Sequence, residues 1–201
     1  MTGPAYLQAL AFFLSVAERI RDDQWDAPGL GVWSVRELVG HTARSIFLVE
    51  EFGSQRSETV DVQSAAEHYH VSLAPEGIDD AIAERGRAAG AALGGDPLGR
   101  LAEGRARAER LVAETSEDTA IAYTNGGIRL GDYLETRVLE LVVHTLDLAS
   151  ALGVEAEPPR DALGCVLHLL AELAVDSGRG GRLALAATGR GPLPDGYSVL
   201  G

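Results

Sequence analysis

Helical periodicity governs this chain. Over most of its length apolar residues return every three or four positions, the spacing that lines one face of an α-helix. Residues 5–22 set Leu7, Leu10, Phe13, Leu14, Ala17 and Ile20 in that pattern and predict a first amphipathic helix. A linker, Asp23 to Trp33, follows with Pro28, Gly29 and Gly31. The second helix has a defined start. Ser34 is a favourable N-cap with Glu37 three residues later, so each can satisfy the other's free backbone N–H as a capping box. Trp33 and Leu38 are spaced for the matching hydrophobic staple. This helix should reach about Phe52 with Leu38, His41, Ser45 and Leu48 along one face.

The same reading predicts a short helix at Ala65–Leu73 and a longer one from Ile78 to Leu93, ended by Gly94 and Gly95. Asp96 and Pro97 are suited to cap and open another helix, reaching Glu114. Residues 119–130 change period. Ile121, Tyr123 and the Asn125-Gly126-Gly127 turn predict a small hairpin across one end of the bundle. A strong helix spans Asp132–Leu152 and stops at Gly153. A last helix covers Asp161–Asp176, and Arg182–Ala187 with Tyr197–Leu200 flank a Gly/Pro-rich turn, which predicts a terminal hairpin. The expected architecture is mainly α: a helical bundle with modest β decoration over residues 1–155, with residues 156–201 packed on it as a helix and short hairpin.

Composition excludes several function classes. The 201 residues suit one domain, and a formal charge of −13 argues against nucleic acid and against a polybasic membrane contact. The single Cys165 excludes an internal disulfide framework and a cysteine-rich zinc site. It lies among Leu163, Val166 and Leu167 and reads as a small core residue. All 17 basic residues are Arg, as expected of a GC-rich genome. Without a secretory signal or a membrane-length apolar run, a cytoplasmic protein is expected. Spare apolar helix faces allow a homodimer.

A transition-metal site here must be built from His and carboxylates. Glu140 and His144, four apart on the strongest helix, bring their Cβ atoms within about 6 Å on one face. The same spacing also suits a helix-surface ion pair. A third ligand would have to come from another helix, and His41, one turn after the capping box, is the candidate. Arg137, one turn before Glu140, could face the same pocket and hold a carboxylate, or lie at the surface paired with a neighbouring Glu. Asp147 could accept the other N–H of His144 or cap a nearby loop. In Glu67-His68-Tyr69-His70 at most one histidine can face inward, and solvent exposure is the default for both. His70 would close the site if it ligated. His168 reads as a satisfied core histidine.

Whole segments add a resemblance. Trp25-Asp26-Ala27-Pro28 with Trp33-Ser34-Val35-Arg36-Glu37-Leu38-Val39-Gly40-His41 resembles the opening of mycothiol-dependent maleylpyruvate isomerase-like proteins, within the DinB/YfiT-like superfamily of metal-binding four-helix bundles. Arg137 through Ala149 resembles that family's second motif, and the likeness covers about residues 10–155. It implies a DinB-like four-helix bundle with His41, Glu140 and His144 as metal ligands. The ion it implies is zinc, although nickel, iron and cobalt suit such ligands too. It also implies an external thiol, mycothiol, made by actinobacteria. Family members acting as maleylpyruvate isomerase carry a larger C-terminal lobe, whereas about 45 residues follow the bundle here. The expectation is therefore a metal-dependent enzyme activating a low-molecular-weight thiol for transfer to, or isomerisation of, a small electrophile. Arg137 and Asp147 would assist it, Arg137 also in holding the thiol. A hydrolase activating water, or a non-catalytic bundle that binds a partner, are the alternatives.

Overall fold

The computed structural model describes residues 1–75 and 77–200. Among them are eight α-helices and one two-stranded hairpin. Helices α1 (Gly3–Ala17), α2 (Val35–Gly53), α5 (Pro97–Glu114) and α6 (Leu130–Leu152) close a ring. In it α1 packs on α6, α6 on α2, α2 on α5, and α5 back on α1. The chain is mainly helical with a small hairpin, as expected. Tyr6, Leu10, Phe13, Leu38, Ile46, Leu101, Leu134 and Leu141 fill the interior and are fully buried.

Local chemistry sets the helix ends. Ser34 Oγ accepts from the Glu37 N–H at 3.3 Å, and Glu37 Oε2 accepts from the Ser34 N–H at 2.8 Å, so the capping box forms. Asp96 Oδ1 caps α5 through the Gly99 N–H at 3.0 Å. Gly153, with φ of +66°, ends α6. Helix α1 stops at Ala17, short of Ile20. Asp22 and Asp23 would meet the negative end of its dipole. Gln24 instead accepts from the Arg21 N–H at 3.1 Å, opening a separate 3₁₀ turn.

Three further elements position the site. Helix α3 (Ala65–Leu73) packs on α6, and α4 (Ile78–Ala92) packs along the outer side of α2. That approach is very close. A Cβ on Gly40 would lie 2.2 Å from the Gly90 nitrogen, so both helices are bare where they cross. Strands β1 (Ala120–Tyr123) and β2 (Gly126–Arg129) pair antiparallel, with Ile121 opposite Ile128 and both fully buried. Among the described residues no helix is long and apolar enough to cross a membrane.

The C-terminal part differs from expectation. Helix α7 (Arg160–Asp176) packs on α1 and α6, but residues 182–187 lie in a helix, α8 (Gly180–Ala187), and among the described residues no terminal hairpin forms. Arg, Leu and Ala are the strongest helix formers, so this run has no intrinsic pull towards a strand. Residues 188–200, turning through Gly189 and Gly196 at positive φ, offer no partner strand. The tail folds back instead. Tyr197 Oη donates to the Arg179 carbonyl at 3.1 Å, and the Arg179 guanidinium donates to the Ser198 carbonyl.

Candidate metal centre

Because α2 packs on α6, His41 of α2 faces Glu140 and His144 of α6. One donor atom from each lies within 4.8 Å of the other two. Glu140 Oε2 is 3.8 Å from His41 Nε2 and 3.3 Å from His144 Nε2. The other carboxylate oxygen is occupied, since Tyr69 Oη donates to Glu140 Oε1 at 2.9 Å and lies 3.2 Å from the Thr136 carbonyl. Tyr69 therefore leaves one oxygen of Glu140 for the histidines. Asp147 accepts from His144 Nδ1–H at 3.0 Å, which turns Nε2 towards Glu140. Trp33 covers His41 with ring centroids 4.5 Å apart, its own Nε1–H donating to the Ala83 carbonyl of α4 at 3.0 Å.

The donor set suits a divalent transition metal: two imidazoles and one carboxylate from two rigid helices. His41 Nδ1 is buried without a hydrogen-bond partner, so the protein alone leaves part of the cluster's polar capacity unused. In the metal-free protein the cluster retains a proton on His144, which a bound metal ion would have to displace. Burial alone would raise the Glu140 pKa, but hydrogen bonds from His144 and His41 and the charge of Arg137 hold it well below the usual carboxylate range. Burial likewise disfavours the His144 imidazolium, yet Asp147 and Glu140 outweigh it and push the ring up to about 9. His41 is lowered, first by burial and then by the neighbouring His144.

A cavity of about 510 Å³ opens above the cluster. Its walls include Trp33, Tyr69, Arg44, Arg85 and Arg137, with Ser198 and Leu200 of the tail at one side. Arg137 faces this cavity, with Nε donating to Thr136 Oγ1 at 3.0 Å and its guanidinium 5.0 Å over the Tyr133 ring. Among the described residues no carboxylate lies within ion-pair distance of it, so the expected alternative of a Glu-paired surface Arg is not found.

The remaining histidines sort themselves by helix face. His68, for which exposure was the default, is buried and lines the cavity, because Ala65 three residues earlier puts it on the apolar face of α3. Burial, then Arg137, lowers it to about 3, so the ring is neutral. His70 points out and sits 3.3 Å from Asp176, away from the cluster. His168, expected in the core, is exposed, since α7 buries Ala162, Val166, Leu169 and Leu173 on a different face. Cys165 is half-buried, and burial pushes its thiol up to about 11. Sequence reasoning missed Tyr69, Arg44 and Arg85. Arg44 follows His41 by three on one helix and was within reach of the periodicity; the other two depend on how α3 and α4 dock.

Fold and cluster together define a helical bundle whose facing helices bring together a His/Glu/His cluster that could hold a metal ion. The chain matches the model of the mycothiol maleylpyruvate isomerase N-terminal domain over residues 6–149 and belongs to that family. No curated protein and no solved structure matches it.

Proposed function

We propose that this protein is a divalent-metal-dependent enzyme, zinc being the ion, that activates mycothiol or a similar small thiol in the cytoplasm for attack on a small electrophile. The supporting observation is the trio of His41, Glu140 and His144 at the floor of a roomy cavity, with His70 turned away. Three protein ligands beside open space are the arrangement of a catalytic rather than a closed structural site.

When bound, the ion supplies Lewis acidity that favours the thiolate form of an incoming thiol near neutral pH. The chain's own residues do the rest. Asp147 holds the His144 ring in one orientation, Tyr69 restricts Glu140 to one free oxygen, and Trp33 shields His41 from water. Arg137 offers its planar guanidinium to an anionic group of the ligand. The nucleophile must come from outside, because the Cys165 thiol stays protonated at neutral pH and belongs to α7.

Metal analysis of the purified protein tests the site: about one divalent ion per chain, lost in His41→Ala and in His144→Ala. Consumption of an electrophile such as an epoxide or 1-chloro-2,4-dinitrobenzene, followed with and without mycothiol, tests the reaction. Turnover that persists without thiol would replace this reading with hydrolysis by activated water.

A further inference from the structure

The chain carries 30 acidic residues against 17 Arg, yet three arginines from three helices converge on one spot. Arg44 of α2, Arg85 of α4 and Arg137 of α6 line the cavity above the metal ligands, and the same three line a second chamber of about 370 Å³ beside it. They therefore stand at the junction of the two spaces. Of the other fourteen arginines five, Arg21, Arg87, Arg105, Arg107 and Arg129, pair with a carboxylate. Among the described residues none of the three junction arginines has such a partner.

Glu140 supplies part of a counter-charge, favouring the charged Arg137 and Arg44, but one carboxylate faces three guanidiniums. Arg44 is held below its ordinary value by burial and by the repulsion of Arg85 and Arg137. Arg137 lies deep and is fixed over Tyr133, Arg44 is half-buried, and Arg85 is exposed at the mouth. A guanidinium presents a planar fork of donors that matches a carboxylate.

The second chamber has a different character. Phe52 and Tyr123 form an aromatic wall backed by the buried Tyr133, with ring centroids 5.8 to 6.4 Å apart, and Leu48 and Val71 add aliphatic surface. Such edge-presenting rings favour another aromatic ring over a small, fully solvated ion. The hairpin closes this side, and Asn125 Nδ2 donates to Ser72 Oγ at 2.9 Å to tie its turn to α3.

We infer that the site takes an aromatic carboxylate, its carboxyl group held by Arg44, Arg85 and Arg137 and its ring seated against Phe52 and Tyr123. The assignment of that compound as the electrophile rests on the function proposed above; the binding itself does not.

Isothermal titration calorimetry of the full chain, metal-loaded and metal-stripped, tests this with four probes: cinnamate, neutral cinnamamide, maleate and inorganic phosphate. Cinnamate is expected to bind in both forms at least about tenfold tighter than each of the other three. The exposed Arg85→Gln should weaken cinnamate about fivefold or more, with metal content and melting temperature unchanged. Tyr123→Ala should weaken cinnamate and leave phosphate unaffected. Equal binding of cinnamate and cinnamamide would remove the arginines' role, and maleate or phosphate binding as tightly as cinnamate would remove the aromatic seat. No binding by any probe would overturn the inference outright. In each of those cases a retained metal ion and thiol-dependent turnover would leave the proposed function standing. Loss of metal and turnover, with cinnamate still bound, would do the reverse.

Discussion

Gly40→Ala is the sharpest test of how the site is assembled, because two effects predict opposite signs. By helix propensity alone, alanine in the interior of α2 should stabilise the protein by about 1 kcal/mol. Packing predicts the reverse. The new Cβ would lie 2.2 Å from the Gly90 nitrogen and 2.5 Å from both Gly90 Cα and Ala89 C. Non-bonded carbons rest at about 3.5–4.0 Å, so α4 would have to retreat by more than about 1 Å. These three nearest atoms are all backbone, so no side-chain rotation moves them away. Overpacking of this kind costs about 1–3 kcal/mol or more, and movement of α4 further loosens its contact with α2. The net expectation is a loss of about 2 kcal/mol, a melting point lower by about 4–8 °C in a chain of this size.

Urea unfolding and thermal melting measure this directly, with Gly164→Ala as an internal control. Gly164 sits within α7 with nothing within 4 Å of a built Cβ. There propensity acts alone, and the variant should gain about 1 kcal/mol. A Gly40→Ala protein that melts at or above the parent temperature would refute the close-crossing argument. The site should respond as well. Helix α4 carries the Ala83 carbonyl that anchors Trp33 over His41, so metal affinity is expected to fall in Gly40→Ala and not in Gly164→Ala.

Three other outcomes are expected. Tyr69→Phe removes the donor to Glu140 Oε1 and should weaken metal binding about tenfold, read by competition with a chromogenic chelator. Trp33→Ala empties a site only 8% exposed and should cost about 3 kcal/mol in urea unfolding, together with weaker metal retention. His144 in metal-free protein is raised to about 9, so its contribution is fully present below about pH 6.5 and is lost as pH rises through 9. Metal-free stability should therefore fall across that window, by up to about 3 kcal/mol, and less in Asp147→Asn; an unchanged slope in that variant would show that Asp147 does not hold the proton on His144.

What the chain disclosed in advance was what depends on neighbours along the sequence. The Ser34/Glu37 box, the Asp96 cap and the Gly153 stop act within one helical turn, and each is found where its residues predict it. Glu140 with His144 was legible because four residues of helix fix their relative direction. His41 was reachable since the same α2 periodicity buries Leu38 and Ser45 beside it. Arg85 was not, because its place depends on α4 seating against α2 through Gly40 and Gly90, fifty positions apart in sequence and recognisable only when the helices meet. The terminal hairpin failed for a related reason. Over six residues the alternation of a strand and the turn of a helix fit Arg182–Ala187 equally, and intrinsic preference decided for the helix.

The charge distribution has a kinetic consequence that tests the anion site as a whole. A domain of this length has a radius of about 20 Å. At that distance a net charge of −13 repels a monoanion by about 3 kcal/mol in water without added salt. At 0.1 M salt the Debye length is about 10 Å and the repulsion drops to about 1 kcal/mol. The junction arginines act at contact, partly shielded from ions, so they are screened far less than the acidic surface. An aromatic carboxylate should therefore associate severalfold faster at 0.1 M than at 0.01 M salt, measured by stopped-flow quenching of Trp33 in a Trp25→Phe variant. The neutral amide should show no such acceleration. If the carboxylate instead slows steadily as salt is added, a positive field governs its approach, and the picture of three arginines embedded in an otherwise repulsive surface is wrong.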